Sequence, residues 1–471
     1  MNAQEFEHLI IDSFPFAPTG IQLHSIRMLT NFLCNPTDKQ IFVLRGYAGT
    51  GKTTLISALV KKLWNISMKS IQMAPTGRAA KVISSYTSTV SFTIHRKIYH
   101  VKSEKDAGIR FTPAVNKHKN TLFIVDEASM ISDSQVEKSS LLEDLISYVH
   151  SGHKCKLLLV GDTAQLPPVH SEISPALDEE YLERNFDCSL LSCELNEVVR
   201  QASDSGILYN ATLLRETLFN QIDQMSSSFQ FQLNEKPEIE RLIDGTDIQE
   251  RLEDSYRLSG LEETAIIVRS NKRANLFNKN IRSRILYLDD ELNVGDYLMV
   301  VKNNYFWISP KSEAGFIANG DLIELLEIFK YIDLYGFRFA EVKVKLVDYP
   351  KMDPFETVLI LDTIESETPA LTYEESNQLY QQVKADYEHE SSNYKKYLAV
   401  KNNKYFNALQ VKFSYALTCH KAQGGQWDNV FIEQPFLPDG FDQNAKRWLY
   451  TALTRAKKSV YLIGFENKYF E

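Results

Sequence analysis

The sequence predicts an α/β protein built from two similar cores, with a β-hairpin inserted into the first and a small β-barrel into the second. Three observations carry this. Apolar runs recur near residues 41, 71, 122 and 157, each followed by a turn or a helical pattern, as the strands of a buried parallel sheet are. A second set recurs at 265–268, 413–417, 430–433 and 460–463. Between these, residues about 296–410 break the rhythm, and 298–301, 322–328 and 337–347 read as short antiparallel strands.

Taken in order, residues 1–195 form the first core. A short helix and a loop with Pro15 and Pro18 lead to an amphipathic helix through Leu33. Gln22, just upstream of a phosphate loop, carries an amide able to read an adenine edge. The strand Ile41-Phe42-Val43-Leu44 runs into Gly46-Tyr47-Ala48-Gly49-Thr50-Gly51-Lys52-Thr53-Thr54, and a helix follows from Lys52. A glycine-rich turn ending in Gly-Lys-Thr lets backbone amides and the positive helix end meet phosphate charge. Lys52 then reaches the β and γ phosphates, and the Thr53 hydroxyl ligates Mg²⁺.

The strand at 70–74 stops at Pro75, and Thr76, Arg78 and Lys81 offer a hydroxyl and two cations at a helix start, which suits a phosphodiester backbone. Residues about 99–120 interrupt the strand and helix alternation and read as the inserted hairpin. The strand at 121–125 delivers Asp126 and Glu127 at its carboxyl end, where an α/β fold places ligand chemistry. Asp126 is the expected metal acid, and Glu127 orients and polarises the attacking water. The strand at 156–160 leads to Gly-Asp-Thr-Ala-Gln, putting Gln165 where an amide senses a γ-phosphate.

The second core is assigned to 196–295 and 411–471, with 205–262 read as polar and helical and 372–407 as a helical, tyrosine-rich tail of the barrel insert. Arg200 and Arg455 are the candidate arginines for the transition-state charge. His420 and the Gly424-Gly425 pair that follows it read by themselves as surface and turn residues.

Composition bounds the rest. A chain of 471 residues with 44% hydrophobic content suits roughly two to four domains. No apolar run approaches the ~20 residues that span a bilayer, and five scattered cysteines suit a reducing compartment, so the expected location is cytoplasmic. A net charge of −9 argues against polyanion binding by the whole surface and points to local basic stretches. One is Arg269 to Arg284; another is Lys395 to Lys404, interleaved with Tyr394, Tyr397, Tyr405 and Phe406 as stacking faces.

In order, GYAGTGKTT, APTGRAAK, DEAS, GDTAQLPP, LNEVVRQ, ALTCHKAQGGQW and YTALTRAK resemble the motifs of superfamily 1 helicases, specifically the 1B RecD-like and Dda-like branch. The resemblance runs from about Thr19 to Lys458. It implies two RecA-like domains with Mg-ATP between them, the hairpin as a strand-separating pin, and an SH3-like barrel. It further implies a monomeric ATPase moving 5′→3′ on single-stranded DNA, opening forked duplex in repair, recombination or replication, alongside partner proteins of those processes. Gln22 becomes the adenine reader, Gln165, Arg200 and Arg455 the γ-phosphate sensors, and Thr76, Arg78, His95, Thr418 and His420 the DNA contacts. Gly425 and Gln426 depart from the Ser and Glu of many relatives. An RNA-directed helicase and a nucleotide-gated scaffold are the competing readings.

Overall fold

The computed structural model describes residues 1–104, 108–132, 140–169, 171–199, 205–219, 229–233, 237–310, 312–437 and 440–471, with the side chains of 100–112 excepted. Helices α1 (Ala3–Ile11) and α2 (Gly20–Cys34) precede the first sheet. That sheet holds β1 (Gln40–Gly46), β2 (Lys69–Ala74), β3 (Ser91–Thr93), β6 (Thr121–Val125), β7 (Lys156–Gly161) and β8 (Ser189–Leu195). Its order is β3-β2-β6-β7-β1-β8, and every pairing is parallel. Ile41 to Leu44, Leu122 to Val125 and Leu157 to Val160 are fully buried, as strands covered on both faces must be. Helix α3 (Lys52–Lys62) covers the sheet through Leu55, Ile56, Ala58 and Leu59, and α4 (Gly77–Thr87) follows β2. The inserted hairpin is β4 (Tyr99–Glu104) paired antiparallel with β5 (Gly108–Pro113).

Four strands were expected in this sheet and six are present. The two additions are edge strands: β3 is three residues long, and β8 scatters Ser, Cys and Glu among its leucines, so neither presents a long apolar run.

The second sheet runs β16 (Ala416–Thr418), β10 (Thr264–Val268), β17 (Trp427–Glu433), β18 (Ala456–Ile463), β9 (Ile239–Leu242), again parallel. Strand β9 lies inside the stretch read as helical; Ile-Glu-Arg-Leu is too short to show a period.

A closed five-stranded barrel joins β11 (Tyr297–Val300), β12 (Leu322–Leu334), β13 (Phe337–Leu346), β14 (Phe355–Ile360) and β15 (Leu409–Phe413). The expected strand at 413–417 is two strands. Its first residue ends β15 in the barrel, the chain bends through Ser414 and Tyr415, and β16 enters the second sheet. Strand β12 extends past the expected 328 because Tyr335 (φ 58°) and Gly336 (φ 77°) form a tight left-handed turn into β13. The helices Tyr373–Ala385 and Asn393–Lys401 pack on the barrel through Leu379, Val383 and Val400.

Candidate nucleotide cleft and strand-binding face

The phosphate loop leaves β1 and enters α3 through Gly49 (φ 76°) and Gly51 (φ 86°), conformations that a side chain would strain. A Cβ on Gly51 would also stand 2.4 Å from Gln22 Nε2. Gln22 is buried beneath the loop: Nε2 donates to the Thr50 carbonyl (3.0 Å) and Oε1 accepts from the Thr19 amide (3.0 Å). Both amide functions therefore brace the loop and the start of α2. The Lys52 ammonium donates to the Gly46 and Tyr47 carbonyls, the latter at 2.8 Å, so it rests folded back on its own loop. Tyr47 donates to Glu194 on β8 (3.1 Å); burial and that carboxylate push its pKa up to about 12.

Strands β6 and β7 bring the acids and the sensor loop beside it. Asp126 Oδ2 accepts from the Tyr86 hydroxyl (2.6 Å) and Oδ1 from the Glu127 amide (2.8 Å). Glu127 adopts φ 53°, a left-handed conformation costly for a residue with a Cβ and tolerated where surrounding contacts enforce it. Burial raises its carboxyl pKa, Arg455 opposes that rise, and Asp126 adds to it.

Arg455 comes from the second core, at the turn into β18. Its Nη1 lies 3.6 Å from Glu127 Oε1, and the guanidinium is aimed by the Thr451 carbonyl (3.1 Å), the Gly425 carbonyl (3.3 Å) and Thr454 Oγ1 (3.2 Å). Phosphate loop, two acids and a cation from the opposite core thus line one cavity of about 480 Å³, with Thr53, Thr54 and Gln165. Arg200 lies outside the described residues; the Val199 amide before it donates to the Gly49 carbonyl (3.0 Å).

The turn after β7 is held by the second core. Tyr450, buried in the helix Gln443–Leu453, donates to Asp162 Oδ2 (2.8 Å) and accepts from the phosphate-loop amide of Ala48 (2.9 Å). Thr451 Oγ1 accepts from the Leu166 amide (2.8 Å), Gln423 Nε2 donates to the Leu166 carbonyl (2.7 Å), and Arg447 donates to the Thr163 and Gln165 carbonyls. The side-chain oxygen of Gln165 is buried with no hydrogen-bond partner among the described residues. Sequence reasoning did not assign Tyr450, Arg447, Gln423 or Asp162 a role. Three of them sit inside or beside motifs already quoted, and which helix face would meet the other core is set by packing.

The DNA candidates follow the carboxyl ends of β2 and β3 in the first sheet and of the edge strand β16 in the second. Ala74 and Thr93 pair between β2 and β3, so Thr76 and His95 each lie two residues beyond a paired strand end. Thr418 ends β16. Thr76 Oγ1 caps α4 by accepting from the Ala79 amide (3.2 Å). The Arg78 guanidinium stacks 3.9 Å over the Trp427 ring, under the Gly424-Gly425 turn, and burial lowers its pKa. His95 packs its ring 5.7 Å from that of Tyr99. His420 is exposed and, with Arg269, Arg447 and Pro167, lines a second cavity of about 730 Å³. Thr76 and Arg78 thus lie against the Gly424-Gly425 turn of the second core, whereas His420 faces that open cavity.

Among the described residues no helix is long and apolar enough to cross a membrane, and no three His, Cys, Asp or Glu side chains gather into a metal site.

Residues 34–226 match an AAA domain family and residues 413–463 the UvrD-like helicase C-terminal domain. The chain is 24% identical over 469 residues to the ATP-dependent DNA helicase dda of Enterobacteria phage T4, covering 90% of this chain and 94% of that protein. It is 34% identical over 173 residues to the ATP-dependent RecD2 DNA helicase of Deinococcus radiodurans, covering 36% of this chain and 21% of that one. An uncharacterised protein of Methanocaldococcus jannaschii is 25% identical over 487 residues, and the chain spans 38% of its length. A crystal structure of Pif1 helicase from Bacteroides with ADP-AlF3 and ssDNA aligns at 15% identity with a TM-score of 0.48, over 96% of this chain and 94% of that one. The two family matches fall one on each parallel-sheet core, and the similarity to the dda helicase extends over both cores and the barrel between them.

Proposed function

We propose that this protein hydrolyses ATP in the cleft between its cores and uses the cycle to move 5′→3′ along single-stranded DNA, separating strands at a fork. The observation that carries the reading is Arg455, delivered by one core to within 3.6 Å of Glu127 on the other, beside the phosphate loop. Hydrolysis then depends on closure: the guanidinium stabilises charge spreading over the transferred phosphoryl group only when the cores meet.

In this scheme the amides of Gly49, Gly51 and Lys52 take the phosphates, and the Lys52 ammonium leaves the Gly46 and Tyr47 carbonyls for the β and γ phosphates. Glu127, ionised and pointed by its left-handed backbone, accepts a proton from the attacking water. Thr53 and Asp126 would hold Mg²⁺. The fit is sound because both line the same cavity and Asp126 keeps acceptor capacity on each oxygen beyond its single hydrogen bond. The metal supplies charge neutralisation across the phosphates. Arg200 is the second candidate cation. Adenine reading by Gln22 requires its amide to exchange a bond it now makes to Thr50 or Thr19.

Closure and opening also alter strand grip, since Thr76 and Arg78 of the first core lie against the Gly424-Gly425 turn that follows His420. A ligand that changes the relative grip of two states makes motion directional. Unwinding of two partial duplexes, one with only a 5′ tail and one with only a 3′ tail, tests this with Lys52→Ala as control. Opening of the 5′-tailed substrate alone, abolished in the variant, is expected. Opening of the 3′-tailed substrate alone overturns the polarity. Opening of neither, with DNA-stimulated ATPase intact, replaces the motor with a scaffold, and stronger stimulation by RNA than by matched DNA overturns the substrate class.

A further inference from the structure

The barrel insert carries a third cavity, of about 440 Å³, lined by residues of the barrel and of its two helices. Lys302 and Lys401 line it, with Tyr305, Tyr373, Tyr380 and Phe406. Elsewhere on the insert some lysines are matched by acids, Lys404 and Lys330 by Glu341 (2.6 and 3.5 Å) and Lys345 by Glu324 (2.7 Å). Among the described residues Lys302 and Lys401 form no ion pair.

The Lys401 ammonium instead lies 5.4 Å from the centre of the Phe406 ring and 5.7 Å from that of Tyr397. Burial lowers the pKa of both lysines, and Lys302 further lowers that of Lys401. Two cations that repel each other in a partly desolvated cleft await an anion. Tyr373 adds an 86% exposed ring at the rim, and Ser376 and Asn377 add polar groups to the wall.

Charge together with flat rings selects single-stranded nucleic acid, whose phosphates meet lysines while bases stack on aromatic faces. The cavity's position selects which strand. The helix Asn393–Lys401, which ends in Lys401, packs against β5 of the hairpin, the element that would divide a duplex.

We propose that this cavity is a second strand site, which holds the single strand displaced at the hairpin through Lys302, Lys401 and the ring of Tyr373. The proposal rests on the helicase reading above. Holding the displaced strand opposes reannealing behind the hairpin, so it raises unwinding without touching hydrolysis.

The test compares two forks that share a 5′ loading tail and differ in the opposite tail, which is either DNA or an uncharged ethylene-glycol spacer. Wild type is expected to bind the DNA-tailed fork more tightly and to unwind it faster. Lys302→Ala/Lys401→Ala is expected to lose that preference, and its salt slope for the DNA-tailed fork to fall by about 1.4, the value for two released single-strand contacts. Tyr373→Ala, at an exposed position where folding is not at stake, is expected to lose part of the preference. ATPase stimulated by a plain single-stranded oligonucleotide is expected to stay at wild-type level in all variants. That readout separates the two ideas, because its absence in wild type sinks the helicase reading itself. An unchanged tail preference in the double variant overturns the site. An equal loss of affinity for the plain oligonucleotide assigns the lysines to the tracked strand and also overturns it, as does binding of an acidic peptide with no dependence on the tail.

Discussion

Replacing Tyr450 by Phe removes one oxygen and leaves the ring in its core, so it isolates the hydroxyl's bonds to Asp162 and Ala48. Tyr450 and Asp162 are each 1% exposed, and the hydroxyl joins the second core to both the phosphate loop and the turn after β7. In the closed cleft, Phe leaves a carboxylate oxygen and a backbone amide short of one partner, at about 1–3 kcal/mol each. In an open cleft water satisfies both groups. The difference falls on closure, and with partial relaxation amounts to about 2–3 kcal/mol, or roughly a 30- to 150-fold lower ratio of closed to open. Since Arg455 reaches Glu127 only across the closed cleft, kcat for DNA-stimulated ATP hydrolysis is expected to fall by at least tenfold. Energy transfer between dyes on the two cores should report the opening, and far-UV circular dichroism should be unchanged. A variant with wild-type kcat, wild-type KM and an unshifted dye distance would refute the coupling role.

Other expectations follow from single groups. The raised Glu127 pKa places the acid limb of the kcat profile above the ordinary carboxylate range, because the base must lose its proton to act. Arg455→Ala removes the opposing charge and should move the limb of its residual activity further toward neutral; an unmoved limb would exclude Glu127 as the titrating group. Asp321 is wholly buried. Its Oδ2 accepts from the Ala318 amide (2.7 Å), its Oδ1 has no hydrogen-bond partner among the described residues, and burial, with Asp348 adding, pushes its pKa up to about 8. The folded value exceeds the unfolded one, so its contribution is fully present below about pH 4 and lost as pH rises toward 8. Asp321→Asn should therefore gain on wild type over that window, by on the order of a few kcal/mol in urea unfolding. Parallel pH profiles for the two proteins would show that Asp321 ionises freely.

Much of the nucleotide cleft was legible because its chemistry is local: loop, acids and sensor each follow a fully buried run on β1, β6 or β7. The barrel was legible from the change of period. What escaped was decided by packing between distant segments. Gln22 reads as a ligand group from its position before the loop, whereas the fold spends both ends of its amide on Thr50 and Thr19. Arg78 reads as a free cation, yet Trp427, 349 residues later, supplies the face it lies on. Strands β3, β8 and β9 were missed because edge strands need too few apolar residues to declare a period.

The bend between β15 and β16 bears on how force travels. Tyr415, at the bend, donates to Asp296 Oδ1 (2.9 Å), Asp296 pairs with Arg282 (2.9 Å), and the Tyr297 amide donates back to the Tyr415 hydroxyl (3.2 Å). The barrel's entry and exit are thus bolted together and to the second core at one point, with two residues separating barrel strand from sheet strand. Such a mounting leaves no slack for the barrel to swivel alone. A stroke of the second core would carry the barrel, and the helix Asn393–Lys401 that meets the hairpin, as a single lever arm whose fulcrum is the nucleotide cleft.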